Sequence, residues 1–142
     1  MASANRPRRI VFDVPRLVRA TEEGRRKALN EFAAYLTNGL RGRISRPGPP
    51  RSKPGTYPHV DSGELHSTTE FQRVADQVRL RTLQYGLYLQ SGTINMARRK
   101  FYLDYLFGAP GSGRLRDSHR TKLLSLLRKH SAASLRKARV SR

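Results

Sequence analysis

Residues 106–115 read LFGAPGSGRL, with Gly108 and Gly113 at the spacing of a phosphate-binding loop. Such a loop needs G-x-x-x-x-G-K-S/T, because the Lys reaches the β- and γ-phosphates and the hydroxyl ligates magnesium. Here Arg114 stands at the lysine position and Leu115 at the hydroxyl position, so the magnesium ligand is missing. A strand ending in an acid should follow such a loop, yet the one apolar run that does so, residues 10–13, precedes it. Nucleotide hydrolysis is set aside on that ground. The four histidines, His59, His66, His119 and His130, are scattered, with no HExxH spacing and no cysteine in the chain to complete a metal set. Asp61 and Glu64 stand close enough for an acid/base pair, but capping a turn is the simpler use of them. No catalytic, metal-ligating or cofactor-binding residue is assigned, and a non-enzymatic protein with no cofactor is expected.

The elements around these residues are uneven. Residues 10–14 make a short β-type run. Leu29, Phe32, Ala33, Leu36 and Leu40 recur at i, i+3, i+4, i+7 and i+11, which lays one apolar stripe along a helix with Arg25, Arg26, Lys27, Asn30 and Glu31 on its wet side. Gly24 is expected to interrupt or kink that helix. Residues 45–60 hold Pro47, Pro49, Pro50, Pro54 and Pro58 with Gly48 and Gly55, so they read as a long loop. Asp61 or Ser62 is expected to cap a short helix. Two β-type runs at residues 67–74 and 77–83 follow, joined by a turn at Ala75 and Asp76. Val78 and Leu80 share one face of the second run, and Arg79 and Arg81 share the other. Residues 85–90 read as a short helix ended by Gly92, and residues 101–107 as a last strand. From Asp117 onward, Leu123, Leu124, Leu126, Leu127 and Leu135 predict a C-terminal helix.

Charge separates the chain into thirds. The 142 residues carry a net +19, but residues 61–110 hold 6 Lys/Arg against 5 Asp/Glu, whereas residues 1–60 hold 13 against 4 and residues 111–142 hold 10 against 1. Two basic ends repel unless an anionic partner or a neighbour in an assembly supplies counter-charge. Nucleic-acid phosphates are the obvious partner. Zinc-finger spacing is absent, and Tyr85, Tyr88, Phe101, Tyr102, Tyr105 and Phe107 fall in the least basic third, so these rings suit a core or subunit interface better than base stacking. No apolar stretch approaches the roughly 20 residues that cross a bilayer, and the first residues lack an apolar signal core, so cytoplasmic synthesis and no membrane partner are expected.

Three stretches carry a family resemblance. Pro58, Ser62, Gly63, Leu65 and Ser67 lie in a segment similar to the P-x-x-x-S/T-G-x-L-x-x-S segment of the neck, or tail-completion, proteins of tailed bacteriophages. Tyr85, Tyr88, Gly92 and Thr93 resemble their Y-A-x-Y-x-E-x-G-T segment, and Ala97, Arg98, Phe101 and Leu103 their A-R-P-F-L stretch. Gln90 and Lys100 depart from the acid and the proline of that pattern. The resemblance covers about residues 15–107 and leaves both basic ends outside it.

It implies a small α+β subunit that forms a ring between capsid portal and tail, a hexamer or a dodecamer, joining connector or head-completion proteins to tail-terminator or tail-tube proteins. The localisation implied is the neck of the virion, after synthesis in the host cytoplasm. The architecture expected is α+β, a small antiparallel sheet on a long N-terminal helix. Residues 1–107 form the neck-like domain with loop 45–60 projecting, residues 108–114 a hinge at Gly108, Gly111 and Gly113, and residues 115–142 a basic helical extension. Contacts to neighbouring rings or to genomic DNA through phosphates are assigned to Arg41, Arg43, Arg46, Arg51, Lys53, Arg128, Lys129, Arg136 and Lys137. Core or subunit-interface packing is assigned to Leu65, Tyr85, Tyr88, Phe101 and Leu103. The other reading is a basic, non-enzymatic nucleic-acid-binding protein of ribosomal or nucleoid-associated type.

Overall fold

The computed structural model describes residues 11–12, 14–46, 53–58, 63–108 and 113–140. Its frame is a pair of long antiparallel helices, α1 (Val14–Ile44) and α5 (Asp117–Ala138). Pro15 sits in the first turn of α1, where its missing N–H costs nothing and its fixed φ suits the helix. The buried side of α1 is a row at every fourth residue: Ala20, Gly24, Ala28, Phe32, Leu36, Leu40 and Ile44, with Ala33 and Thr37 beside it. With 3.6 residues per turn, such a row winds round the helix as it climbs. α1 meets α5 from Ala20 to Tyr35 on one side and a β-hairpin from Arg25 to Thr37 on another. At 31 residues α1 is about 46 Å long, more than the roughly 33 Å that the 22 residues of α5 reach, so a second partner is needed at its C-terminal end.

That partner is β2 (Glu70–Val74) paired antiparallel with β3 (Gln77–Arg81), in the register Phe71 to Leu80 and Arg73 to Val78. Phe71, Val78 and Leu80 pack inward, while Gln77, Arg79 and Arg81 are exposed, as the alternation predicts. Ala75 and Asp76 form the turn, with Ala75 at φ 53°. The Thr37 hydroxyl ties hairpin to helix by accepting the Phe71 N–H at 2.8 Å while donating to the Ala33 carbonyl at 2.9 Å. A second short pair, β1 (Val11–Phe12) with β4 (Arg139–Val140), joins the outer ends of the two long helices. The architecture is thus α+β, with a small antiparallel sheet on a long N-terminal helix.

Several expectations are corrected. Gly24 does not interrupt α1. A Cβ there would stand 2.5 Å from the Ser134 hydroxyl and 3.0 Å from the His130 carbonyl oxygen, so the glycine lets α5 approach closely. Ala28, not Leu29, is fully buried in the stripe. The strand expected over residues 67–74 begins only at Glu70, because Glu64–Thr68 form a helical turn, α2. The Thr68 and Thr69 hydroxyls donate to the Glu64 and Leu65 carbonyls at 2.7 and 2.6 Å, satisfying the end of that turn. The helix α2 starts from Gly63 at φ 79° without a side-chain cap; Asp61 and Ser62, the expected caps, lie outside the described residues.

The strand expected over residues 101–107 is a helix, α4 (Tyr102–Phe107). Phe101 just before it and Asp104 and Tyr105 within it are buried, a period of three to four rather than two. The C-terminal segment also differs from a hinged extension. The Arg116 N–H donates to the Leu106 carbonyl at 2.8 Å, and Leu126 lies in the same core cluster as Phe32, Leu36 and Tyr105. Gly108 and Gly113 take positive φ, 79° and 64°; Gly111 lies outside the described residues.

Candidate functional site

Two of the resembling stretches, residues 85–93 and 96–103, fold into one unit around a buried carboxylate. The helix α3 (Gln84–Ser91) buries Gly86, Leu89 and Gln90. A Cβ on Gly86 would lie 2.9 Å from the Phe101 ring, so the glycine lets the helix rest on that ring. Gly92, at φ 75°, ends α3, and its N–H donates to the Tyr88 carbonyl at 2.7 Å. Residues 93–100 then fold back. Thr93 and Met96 exchange backbone hydrogen bonds, and the Arg99 N–H donates to the Leu89 carbonyl at 2.8 Å.

Asp104 closes the unit. Its carboxylate accepts from Arg98 at 2.7 and 2.6 Å, from the Gln90 amide at 3.0 Å and from the Phe101 N–H at 3.3 Å. Burial alone would raise this carboxyl, but the Gln90, Arg98 and Phe101 donors together hold it below its ordinary 3.8. The Gln90 oxygen meanwhile accepts the Leu103 N–H at 2.9 Å. An amide at position 90 serves both neighbours, because one end donates to the carboxylate and the other accepts from the backbone. A carboxylate at position 90 would face Asp104 with like charge. Arg116 donates twice to the Asp104 carbonyl, at 3.1 and 2.8 Å, tying α5 to the same unit.

The outward face of this unit is apolar. Tyr85, Leu87, Tyr88 and Ile94 are 53, 48, 45 and 104 % exposed. Tyr85 and Tyr88, expected in a core or a subunit interface, are therefore not core residues of the single chain. Phe101 is fully buried as expected, while Leu65 and Leu103 are half-buried. The sequence carries a signal for this face: residues 82–97, TLQYGLYLQSGTINMA, hold no charged side chain in a chain that is 27 % charged.

The nominated cations fall into separate groups. Arg41 is occupied within the fold, donating to the Thr69 and Ser67 carbonyls at 2.8 and 2.9 Å. Arg43 lies over the Tyr57 ring at 5.9 Å, and Arg46 and Lys53 are exposed nearby; Arg51 lies outside the described residues. Lys129 and Lys137 sit on the α1–α5 seam, 3.5 Å from Glu31 and 3.6 Å from Glu23, while Arg128 and Arg136 are exposed along α5. The loop cations thus gather at the C-terminal end of α1, and Lys137 lies toward its other end.

The histidines do more structural work than isolated surface groups. His119 is buried with Nε2 2.8 Å from the Tyr105 carbonyl and Nδ1 3.3 Å from the Tyr35 hydroxyl. A carbonyl only accepts, so Nε2 carries the proton and the neutral Nδ1 accepts from Tyr35. His130 lies 2.9 Å from Glu31 across the helix pair. His59 lies outside the described residues. Among the described residues, no group of three His, Asp or Glu side chains is arranged to hold a metal ion, and no helix is long and apolar enough to cross a membrane. Comparison of the chain with family models, with curated proteins and with solved structures finds no match.

Proposed function

We propose that this chain is a structural, non-enzymatic subunit that self-associates through α3 into a closed ring, of the kind that joins head to tail in tailed phage particles. The observation that carries the self-association is the uncharged face of residues 82–97. Copies at +19 repel over most of their surface, and that repulsion is least where no charge is present. Tyr85, Leu87, Tyr88 and Ile94 supply an apolar centre of the kind found in lasting interfaces. A standard interface buries about 800 Å² per partner, so this centre needs the rest of the uncharged 82–97 stretch as its rim. The head–tail part rests on the resemblance, and what supports it is that two of the resembling stretches, residues 85–93 and 96–103, pack against each other. The Arg99 N–H donates to the Leu89 carbonyl and the Leu103 N–H to the Gln90 side-chain oxygen.

Native mass spectrometry of the purified chain tests the assembly. A closed oligomer that the double variant Leu87→Lys, Tyr88→Lys converts to folded monomers is the expected result. A monomer at every concentration and salt level refutes the ring. Electron microscopy of particles decorated with antibody to the chain tests its location, and label absent from the neck removes the head–tail assignment while leaving the ring intact. The second reading, a basic nucleic-acid-binding protein, is favoured by the two basic thirds of the chain and predicts a monomer or dimer.

A further inference from the structure

One end of the molecule concentrates cations that lie far apart in the sequence. The last turn of α1 brings Arg43, and Arg46 follows it. Residues 53–58 run beside residues 98–100, held by the Gly55 N–H to the Arg98 carbonyl at 3.1 Å and the Lys100 N–H to the Thr56 carbonyl at 2.9 Å. This pairing sets Lys53 beside Arg98, Arg99 and Lys100. The Arg43 guanidinium rests over Tyr57 of the same segment. Arg116, tied to the Asp104 and Leu106 carbonyls, brings Arg114 to this end as well. Eight cations thus meet the acids Asp104, Asp117 and Glu64. Of these, Asp104 is buried under Arg98, Asp117 stands 4.0 Å from Arg114, and Glu64 belongs to α2, which Arg41 fastens to α1.

We infer that this end, centred on Arg46, Lys53 and Lys100, binds the phosphodiester backbone of double-stranded DNA. The backbone bonds between the two segments, and the fastening of Arg98 to Asp104, present the cations already ordered, so little conformational freedom is lost on binding. A duplex carries about one negative charge per 1.7 Å of axis, which suits a cluster of exposed cations without an apolar pocket. No aromatic ring is interleaved for base stacking, since Tyr57 is half-buried beneath Arg43, so contacts to phosphate rather than to bases are expected. The inference goes beyond the ring reading and needs no second copy, because every residue comes from one chain. Most of this site was invisible to the sequence: Lys100 and Arg114 join Lys53 only through the fold.

Fluorescence anisotropy with a labelled DNA duplex and the full chain, between about 50 and about 200 mM salt, tests it. The triple variant Arg46→Gln, Lys53→Gln, Lys100→Gln is expected to reduce the slope of log K against log salt by about 2.7, from three contacts at about 0.9 each. The control triple Arg19→Gln, Arg26→Gln, Arg79→Gln removes equal charge elsewhere and should reduce it by less than about 1. Equal reductions in the two triples overturn the inference. So does displacement of the duplex by charge-matched polyglutamate as readily as by unlabelled duplex, which would point to an acidic protein surface instead. A readout on the unaltered chain guards against a folding defect. Lysine acetylation should be slowed by duplex at Lys53 and Lys100 but not at Lys27 or Lys137, and uniform protection overturns the site.

Discussion

Substituting Gly24 by Ala discriminates between two opposite views of α1. If the glycine only weakened the helix, alanine would add about 1 kcal/mol of helix propensity and raise stability. The structure predicts the reverse. The added methyl would sit 2.5 Å from the Ser134 hydroxyl, 3.0 Å from the His130 carbonyl oxygen and 3.4 Å from its carbon. The hydroxyl cannot simply rotate away, because it is held between the Ala20 carbonyl at 2.7 Å and the His130 carbonyl at 2.8 Å. The His130 oxygen is backbone inside α5, so the whole helix must shift. Overpacking of this kind costs typically 1–3 kcal/mol. Against the propensity gain, a net loss of about 1 kcal/mol is expected, which for a chain of this length is a fall in Tm of roughly 3–4 °C. Thermal unfolding followed by circular dichroism measures it, with Gly24→Ala, Ser134→Ala as the companion variant. The double variant should recover part of the loss by removing the nearest atom, but not all of it, since the carbonyl remains. A rise in Tm for Gly24→Ala alone would refute the close-approach argument and restore the view of Gly24 as a weak point.

Asp104→Ala should cost about 3 kcal/mol at neutral pH, because it leaves the Gln90 amide and the Phe101 N–H without their acceptor and Arg98 without its partner. Arg98 is partly solvated, which keeps the loss at the low end of the buried-pair range, and urea unfolding that gives less than about 0.5 kcal/mol would dismiss the latch. His119 gives the chain a pH dependence of its own. Burial, with Arg116 and Arg43 nearby, lowers its pKa below the ordinary 6.5, although the Tyr105 carbonyl acts in the other direction. The unfolded chain therefore takes up the proton first, so this contribution is complete above about pH 6.5 and is lost as pH falls below it toward the folded value. Urea midpoints across that range should fall in the native chain and flatten in His119→Gln, and an unchanged slope in the variant would show that another group is responsible. Asp104, whose pKa is lowered below 3.8, contributes its share at every pH above that value and loses it only below, so the two effects fall in separate windows.

How much of this was legible in the sequence depended on how local each cause is. The alternation of Val78, Arg79, Leu80 and Arg81 determined the hairpin strand and its inward face, and the run from Asp117 determined the last helix, because period alone separates buried from wet positions. The ending of α3 at Gly92 was also local, since the left-handed backbone there suits a residue without Cβ. The interrupted phosphate loop was equally legible, because the missing lysine and hydroxyl are matters of residue identity.

What failed were positions governed by a distant neighbour. Gly24 looks like a weak point until α5 is laid against it, and residues 101–107 look like a strand until Asp104 accepts the Phe101 N–H and the Arg98 guanidinium. Tyr85 and Tyr88 suit a core or a subunit interface by sequence alone, and it is α3 turning Gly86, Leu89 and Gln90 inward that takes the tyrosines out of the core of the single chain. The sequence by itself determined the charge: two basic ends around a nearly neutral middle, and an uncharged stretch within that middle. Tertiary structure alone decided which cations meet, because backbone bonds between residues 53–58 and 98–100 bring together groups more than forty positions apart. Such long-range closure leaves no periodic trace in the chain, since it rests on backbone bonds between distant segments and on the buried Asp104 carboxylate that holds Arg98.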